Sequence, residues 1–332
     1  MKAAILEKPN TIRLADLPIP EPAFGQVRIK LSKVGICGSD VHLFLGHRLL
    51  NEPRVIGHEG IGTIDKLGEG VNTKTIGQRV VIEPNIPCQK CRHCLKGNGR
   101  YCPDKIVIGN NIDGCFAEFV CIDANFCWPI PDTISDEDAL TIEPMAVALS
   151  ALFKSNAKPG DTIAVLGLGA IGLLITHLAL KLGYGVLVSE QKPEKLALAT
   201  SWGAKAVKAE QETLNQAWEN AEVECIFECA GSETTASLVT AAAPRGSQIV
   251  LLGLSEKLAT FTPLKITREG ISIMPSIIYD HPADFRRTIQ LIASGIIQPG
   301  KIISAFYPLQ DLQNALEKAA EGYESKVVLE IC

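Results

Sequence analysis

The 332-residue sequence predicts an α/β protein in two parts, and three observations carry that prediction. Over roughly the first 150 residues, short alternating strands are separated by turn clusters rich in Gly and Pro. After Lys158-Pro159-Gly160-Asp161 the texture changes, and strand-like runs alternate with helix-like stretches, the pattern of a parallel βαβ sheet. Length points the same way, since about 150 residues per domain gives about two domains. A hydrophobic fraction of 46% and a charged fraction of 21% exclude disorder as the main state.

Taken in order, Val27-Arg28-Ile29-Lys30-Leu31 alternates apolar and polar side chains as a half-buried strand does. Val80-Val81-Ile82 and Ala117-Glu118-Phe119-Val120 read as further strands, with Pro20-Glu21-Pro22 and Gly68-Glu69-Gly70 as turns. In the second part, residues 162–166, 186–188, 225–228, 249–252 and 271–273 are the strand-like runs, and 194–199 is helical. Asp280-His281-Pro282 is expected to cap and start a last amphipathic helix, with Phe285, Ile289 and Ile292 on one face. No repeat or low-complexity segment interrupts the chain.

Charge narrows the partners. With 32 Lys+Arg against 37 Asp+Glu the net charge is −5, and no basic stripe stands out, which argues against nucleic acid or an anionic membrane. The apolar stretch 163–180 contains Gly167, Gly169, Gly172 and His177 and lacks aromatic anchors. It reads as a buried strand-turn-helix rather than a membrane span. Met1-Lys2-Ala3-Ala4-Ile5-Leu6-Glu7 meets charge too soon for a signal-peptide core, so a soluble cytoplasmic protein is expected.

Eleven cysteines need a reason, and five of them lie between Cys88 and Cys115. Cys88, Cys91, Cys94 and Cys102 follow the spacing C-x2-C-x2-C-x7-C, which lets four thiolates close a tetrahedral structural zinc site. An iron–sulfur cluster is the rival, because Cys102-Pro103 ends the run as in bacterial ferredoxins, but no second cysteine triplet exists to complete that pattern. Surface thiols, or a redox pair at Cys91 and Cys94, leave the other sulfurs unexplained. The expected role of the zinc is to fold a lobe too small to have its own core.

A second, dispersed set is Gly35-Ile36-Cys37-Gly38-Ser39-Asp40-Val41-His42, then Gly57-His58-Glu59-Gly60, then Glu143-Pro144. Each alone is weak, since a single Cys or His more often packs than binds. Together they offer one soft thiolate, one imidazole and one or two carboxylates, the donor set of a catalytic zinc with an open position. Further on, Gly167-Leu168-Gly169-Ala170-Ile171-Gly172 follows a buried strand and opens a helix. In that context G-x-G-x-x-G is a dinucleotide turn, with the helix N-terminus facing pyrophosphate. Glu190 ends the second strand of this part, where a carboxylate would bind the ribose hydroxyls, although an exposed loop carboxylate is the commoner fate of a single Glu.

These five motifs occur in the order of the zinc-dependent medium-chain dehydrogenases, and the chain resembles their sorbitol, threonine and sugar-acid dehydrogenase branch along its whole length. The resemblance implies a GroES-like β-rich catalytic domain at 1–145, an inserted Rossmann NAD-binding domain at 146–275, a return to the catalytic domain at 276–332, and an active site in the cleft between. It implies two zinc ions per chain, with Cys37, His58 and Glu59 on the catalytic ion. Glu143 stands where other alcohol dehydrogenases carry a second cysteine, its direct or water-mediated contact left open. Ser39 and His42 match a proton relay to solvent, Asp40 matches the carboxylate that orients the histidine ligand, and Lys195 matches a basic residue beside the adenine.

The implied activity is reversible, NAD-dependent oxidation of a secondary alcohol, in which zinc as Lewis acid lowers the pKa of the hydroxyl. Threonine 3-dehydrogenase-like activity is an alternative within the class. A zinc-free quinone reductase and a non-enzymatic NAD(H)-binding sensor are rivals outside it. Sorbitol dehydrogenases hold the polyol partly through an Arg-Tyr pair, and Ile278-Tyr279 stands at that place here, so the arginine is missing. His47 and Arg48 are the polar groups of the loop 46–53, and Arg48 could receive a carboxylate, or could simply be exposed. Polyol, sugar acid and small diol all remain open, and the resemblance implies a homo-dimer or homo-tetramer.

Overall fold

Residues 1–331 are described by the computed structural model. In chain order the strands are β1 (Lys2–Lys8), β2 (Thr11–Asp16), β3 (Gln26–Gly35), β4 (Arg54–Val55), β5 (Glu59–Leu67), β6 (Arg79–Ile82), β7 (Asn85–Ile86), β8 (Ile106–Val107), β9 (Phe119–Asp123) and β10 (Cys127–Pro129). Then follow β11 (Thr162–Leu166), β12 (Gly185–Ser189), β13 (Lys205–Ala206), β14 (Val223–Glu228), β15 (Gln248–Leu251), β16 (Ser272–Pro275), β17 (Ala305–Pro308) and β18 (Val327–Glu330). The chain divides into two units, one of Met1–Glu143 with the stretch from Asp280 onward, the other Pro144–Tyr279.

The first unit is organised on β3. Val27, Ile29 and Leu31 are buried, and a register shift between Leu31 and Lys33 moves burial to the even-numbered Val34. One edge of β3 pairs with β5; the other is shared by β9 along Gln26–Lys30 and by β18 along Lys33–Gly35. The full sheet runs β10-β6-β5-β3-β18-β17, with β9 beside β3 and a separate β2-β1-β4 sheet. One apolar cluster, including Ile29, Ile64, Phe116 and Leu316, forms its core. The register sets Gly35 opposite both Glu59 and Val328, which brings the ends of β5 and β18 together.

The second unit is a six-stranded parallel sheet in the order β13-β12-β11-β14-β15-β16, the doubly wound order of a Rossmann domain. The five runs read from sequence are five of its six strands, the first with its ends as read and the others displaced by at most two residues where pairing rather than hydrophobicity decides the boundary; the two-residue β13 was not read. Leu214 and Trp218, four apart on the helix Gln211–Asn220, pack into a core with Leu166, Ile226 and Ile249. The stretch 163–180 is β11, the glycine turn and the helix Ala170–Lys181. Among the described residues no helix is long and apolar enough to cross a membrane.

The helix expected to start at Asp280-His281-Pro282 spans Ala283–Ala293, with Pro282 as its N-cap. Asp280 does not cap it with its side chain, which pairs with Arg100 instead; its backbone N–H donates to Asp284 Oδ2 at 2.8 Å. The fully buried stripe is Phe285, Thr288 and Ile292, with Ile289 at its margin.

Candidate metal centres and nucleotide turn

Cys37 ends the approach to a short helix, Gly38–Phe44, and Asp40 lies in its first turn. The Asp40 carboxylate, buried to 1% exposure, accepts the Cys37 N–H at 2.9 Å through Oδ2 and contacts His58 Nδ1 at 3.3 Å through Oδ1. One carboxylate thus holds the Cys37 backbone and the His58 ring, and with Nδ1 engaged the His58 Nε2 is the nitrogen left for a ligand bond. Gly57 makes the approach to His58 possible, because it stands at φ +88° and a Cβ there would lie 2.5 Å from the Phe116 ring.

Cys37 Sγ, a ring nitrogen of His58 and a carboxylate oxygen of Glu59 all lie within 4.8 Å of one another. Glu59 is 1% exposed, and its Oε1 has no hydrogen-bond partner among the described residues. A buried carboxylate oxygen left bare costs free energy unless a cation meets it, and thiolate, imidazole and carboxylate are zinc donors. Burial alone would lower the pKa of His58, but the negative charges of Asp40 and Cys37 outweigh it and hold the imidazole well above its ordinary value. The cluster therefore calls for positive charge, and zinc fits it.

Sequence reasoning missed Lys326. This lysine, just before β18, is 3% exposed and forms an ion pair with Glu59 Oε2, while donating to the Ile36 carbonyl at 3.0 Å. Burial lowers its pKa, but Glu59, Cys37 and Glu143 together raise it above the usual lysine value. The pair leans over Gly35, where a Cβ would collide with Glu59 Oε2. Glu143 is buried and its charge reaches Lys326, yet it stands outside the three-residue cluster.

The four cysteines of the loop do converge. Cys88, Cys91, Cys94 and Cys102 place their sulfurs within 4.8 Å of one another, with Cys91 and Cys94 at 3.5 Å. The Cys88 thiol is lowered to about 7, chiefly by the Lys90 backbone N–H, whereas burial and neighbouring thiols push Cys94 up to about 12. Four sulfurs this close cannot all ionise without a cation among them, and a tetrahedral zinc satisfies that demand.

In the second unit the three glycines have three separate reasons. Gly167 stands at φ +87°, and a Cβ there would lie 2.6 Å from Ala230 N. Gly169, the N-cap of the helix that Ala170 and Ile171 begin, has open space where its Cβ would be. A Cβ on Gly172 would strike the Gly167 carbonyl. A tight turn, an open approach to a helix N-terminus and close packing of helix on strand are what a pyrophosphate site needs. Glu190 is tied into that turn: Oε2 accepts the Leu168 N–H at 2.6 Å, and Oε1 accepts those of Gln191 and Lys192 at 2.7 and 3.0 Å. Lys195 lies buried in the helix Pro193–Ser201.

A metal-binding β unit and a Rossmann unit in one chain define a zinc-type, nucleotide-linked dehydrogenase. Two family profiles match, an alcohol dehydrogenase GroES-like domain over residues 23–132 and a zinc-binding dehydrogenase over 170–294. The chain is 32% identical to the starvation-sensing protein RspB of Escherichia coli K12, covering 95% of this chain and 94% of that one. It is 30% identical to sorbitol dehydrogenase of Bacillus subtilis 168, covering 97% and 94%. The crystal structure of RspB from E. coli CFT073 with cofactor NADH superposes with a TM-score of 0.93 at 31% identity, over 100% of this chain and 99% of that one. The chain belongs to the zinc-dependent medium-chain alcohol dehydrogenase family. It is an oxidoreductase acting on CH–OH groups, with zinc and NAD as cofactors.

Proposed function

We propose that the chain oxidises a secondary alcohol of the polyol, sugar-acid or small-diol class to a ketone, with one catalytic zinc held by Cys37, His58 and Glu59 and one structural zinc held by the four-cysteine loop. The observation that carries this reading is the convergence of Cys37, His58 and a carboxylate oxygen of Glu59, a buried side chain whose Oε1 has no hydrogen-bond partner among the described residues. Zinc, when bound there, lowers the pKa of the substrate hydroxyl so that hydride can leave for NAD. Cys37, His58 and Glu59 hold the ion, Asp40 keeps His58 in the tautomer that presents Nε2, and Lys326 steadies Glu59 from the far side. Glu143, outside the trio, would add negative charge beside it, as its effect on Lys326 indicates.

The proton of the hydroxyl must leave. Ser39 and His42 are three apart on the helix Gly38–Phe44, the spacing of side chains on one helix face. Ser39 accepts the proton and His42, which is exposed, hands it towards solvent. The nucleotide is held by the 167–172 turn and Glu190 in the other unit. Polyols, sugar acids, threonine and butanediols, screened by NADH absorbance, test the reading: at least one should be oxidised, and none would be by Glu59→Gln or His58→Ala. Either variant keeping most of the wild-type kcat would overturn the zinc assignment.

A further inference from the structure

The helix that carries Ser39 and His42 ends in a turn with a chemical consequence. Gly46 N–H donates to the Leu43 carbonyl at 3.1 Å and His47 N–H to the His42 carbonyl at 3.0 Å, the paired bonds of a Schellman motif. The glycine stands at φ +75°, and a Cβ on it would lie 2.9 Å from the Pro9 ring. This motif brings the third residue from the helix end against the second residue beyond the cap, a place where an apolar pair usually meets. Here the two positions are His42 and His47. Their Nδ1 atoms lie 3.2 Å apart, with ring centroids at 5.4 Å and planes tilted by 53°.

Two ring nitrogens at that distance need a proton on one and a lone pair on the other. We propose that His47 is the second imidazole of the proton path, taking from His42 the proton released when the alcohol is oxidised. The proposal rests on the Ser39/His42 relay proposed above. Oxidation of the alcohol by NAD yields ketone, NADH and one proton. The proton enters at His42 Nε2, the Nδ1–H of His42 passes to His47 Nδ1, and the Nε2–H of His47 leaves to water. Only N–H bonds form and break, and no electrons move at the pair.

Arg48 follows His47 and shares the His42 carbonyl through its backbone N–H at 3.3 Å. The helix Leu312–Glu321, which packs against Gly38–Phe44, carries Glu317 bonded to Gln313 and Lys318 paired with Glu321. His47 is a positioning residue that acts through His42, because it is His42 that receives the proton from Ser39.

The test uses zinc-loaded enzyme, NAD and the best alcohol of the panel, mixed in single turnover with a pH indicator. His47→Gln is expected to slow proton release and hydride transfer at least fivefold near pH 7, less near pH 9 where hydroxide takes the proton, and added imidazole should restore most of the rate. NADH affinity and zinc content should stay at wild-type values. A slow His42→Gln beside a wild-type-like His47→Gln overturns this inference alone, as does a loss that ignores both pH and imidazole. Wild-type rates in both variants overturn the relay beneath it as well. Nitrogen-15 spectra of the folded wild type read the pair without turnover: a proton on one Nδ1 supports the shared bond, and protons on both Nε2 atoms with neither Nδ1 protonated overturn it.

Discussion

Lys326 is held among groups that all depend on its charge. Its ammonium meets Glu59 Oε2 and the Ile36 carbonyl in a site almost without solvent. Removing one partner of a buried ion pair costs about 3–5 kcal/mol, because the other charge stays behind uncompensated. Lys326→Met should therefore lower the stability of the zinc-free protein by about that amount in urea denaturation, and by less when zinc meets the bare oxygen of Glu59. A variant as stable as wild type in the zinc-free form would show that the pair carries no such weight. At this scale the sequence was half legible. Cys37, His58 and Glu59 were weak signals one by one, and became legible only together, as the donor set of a metal site within a series of motifs that resembles a known family. Lys326 gives no local signal: a lysine before a short apolar strand looks like a surface residue until β18 is paired with β3. His47 was visible as a polar group in its loop, but its partner was not, since the contact is made by backbone geometry at a helix end.

Elements decide the next two outcomes. The four-cysteine loop has two very short strands, a four-residue helix and a single turn of 3-10 helix, and Cys102 is its one buried cysteine. Such a loop depends on its metal. Cys94→Ser should release about one zinc per chain and lower the thermal midpoint, read by metal analysis and calorimetry; an unchanged zinc count would exclude the loop as a zinc site. In the Rossmann unit, Glu190 is already oriented by three backbone N–H groups before any ribose arrives. A carboxylate at the end of β12 accepts the ribose hydroxyls of NAD and repels the 2′-phosphate of NADP. The expected preference for NAD is at least about tenfold in kcat/KM, or about 1.4 kcal/mol, narrowed by Glu190→Ser. Equal kinetics with NADP in the wild type would sink this assignment. Five of the six parallel strands were legible because each holds a short apolar run, whereas β13, Lys205–Ala206, has none. The register shift in β3 and the side-chain partner of Asp280 were not, because pairing with distant segments sets both.

At the scale of the whole chain, metal centres and nucleotide turn belong to different units, each with its own apolar core. Chelation of zinc should abolish alcohol turnover and leave NADH binding measurable by fluorescence titration. Loss of NADH affinity in step with zinc would tie the two functions more closely than their separate cores suggest. The order of the elements has a further outcome during synthesis. β18 completes one edge of β3 and its approach delivers Lys326 to Glu59, yet it follows the whole Rossmann unit in chain order. Every element of the Rossmann unit emerges before it, so that unit can fold while the other sheet still lacks a strand beside its longest one. Until β18 appears, Glu59 has no lysine and the end of β3 offers a free edge to neighbouring chains, which makes the nascent protein prone to aggregate over that interval.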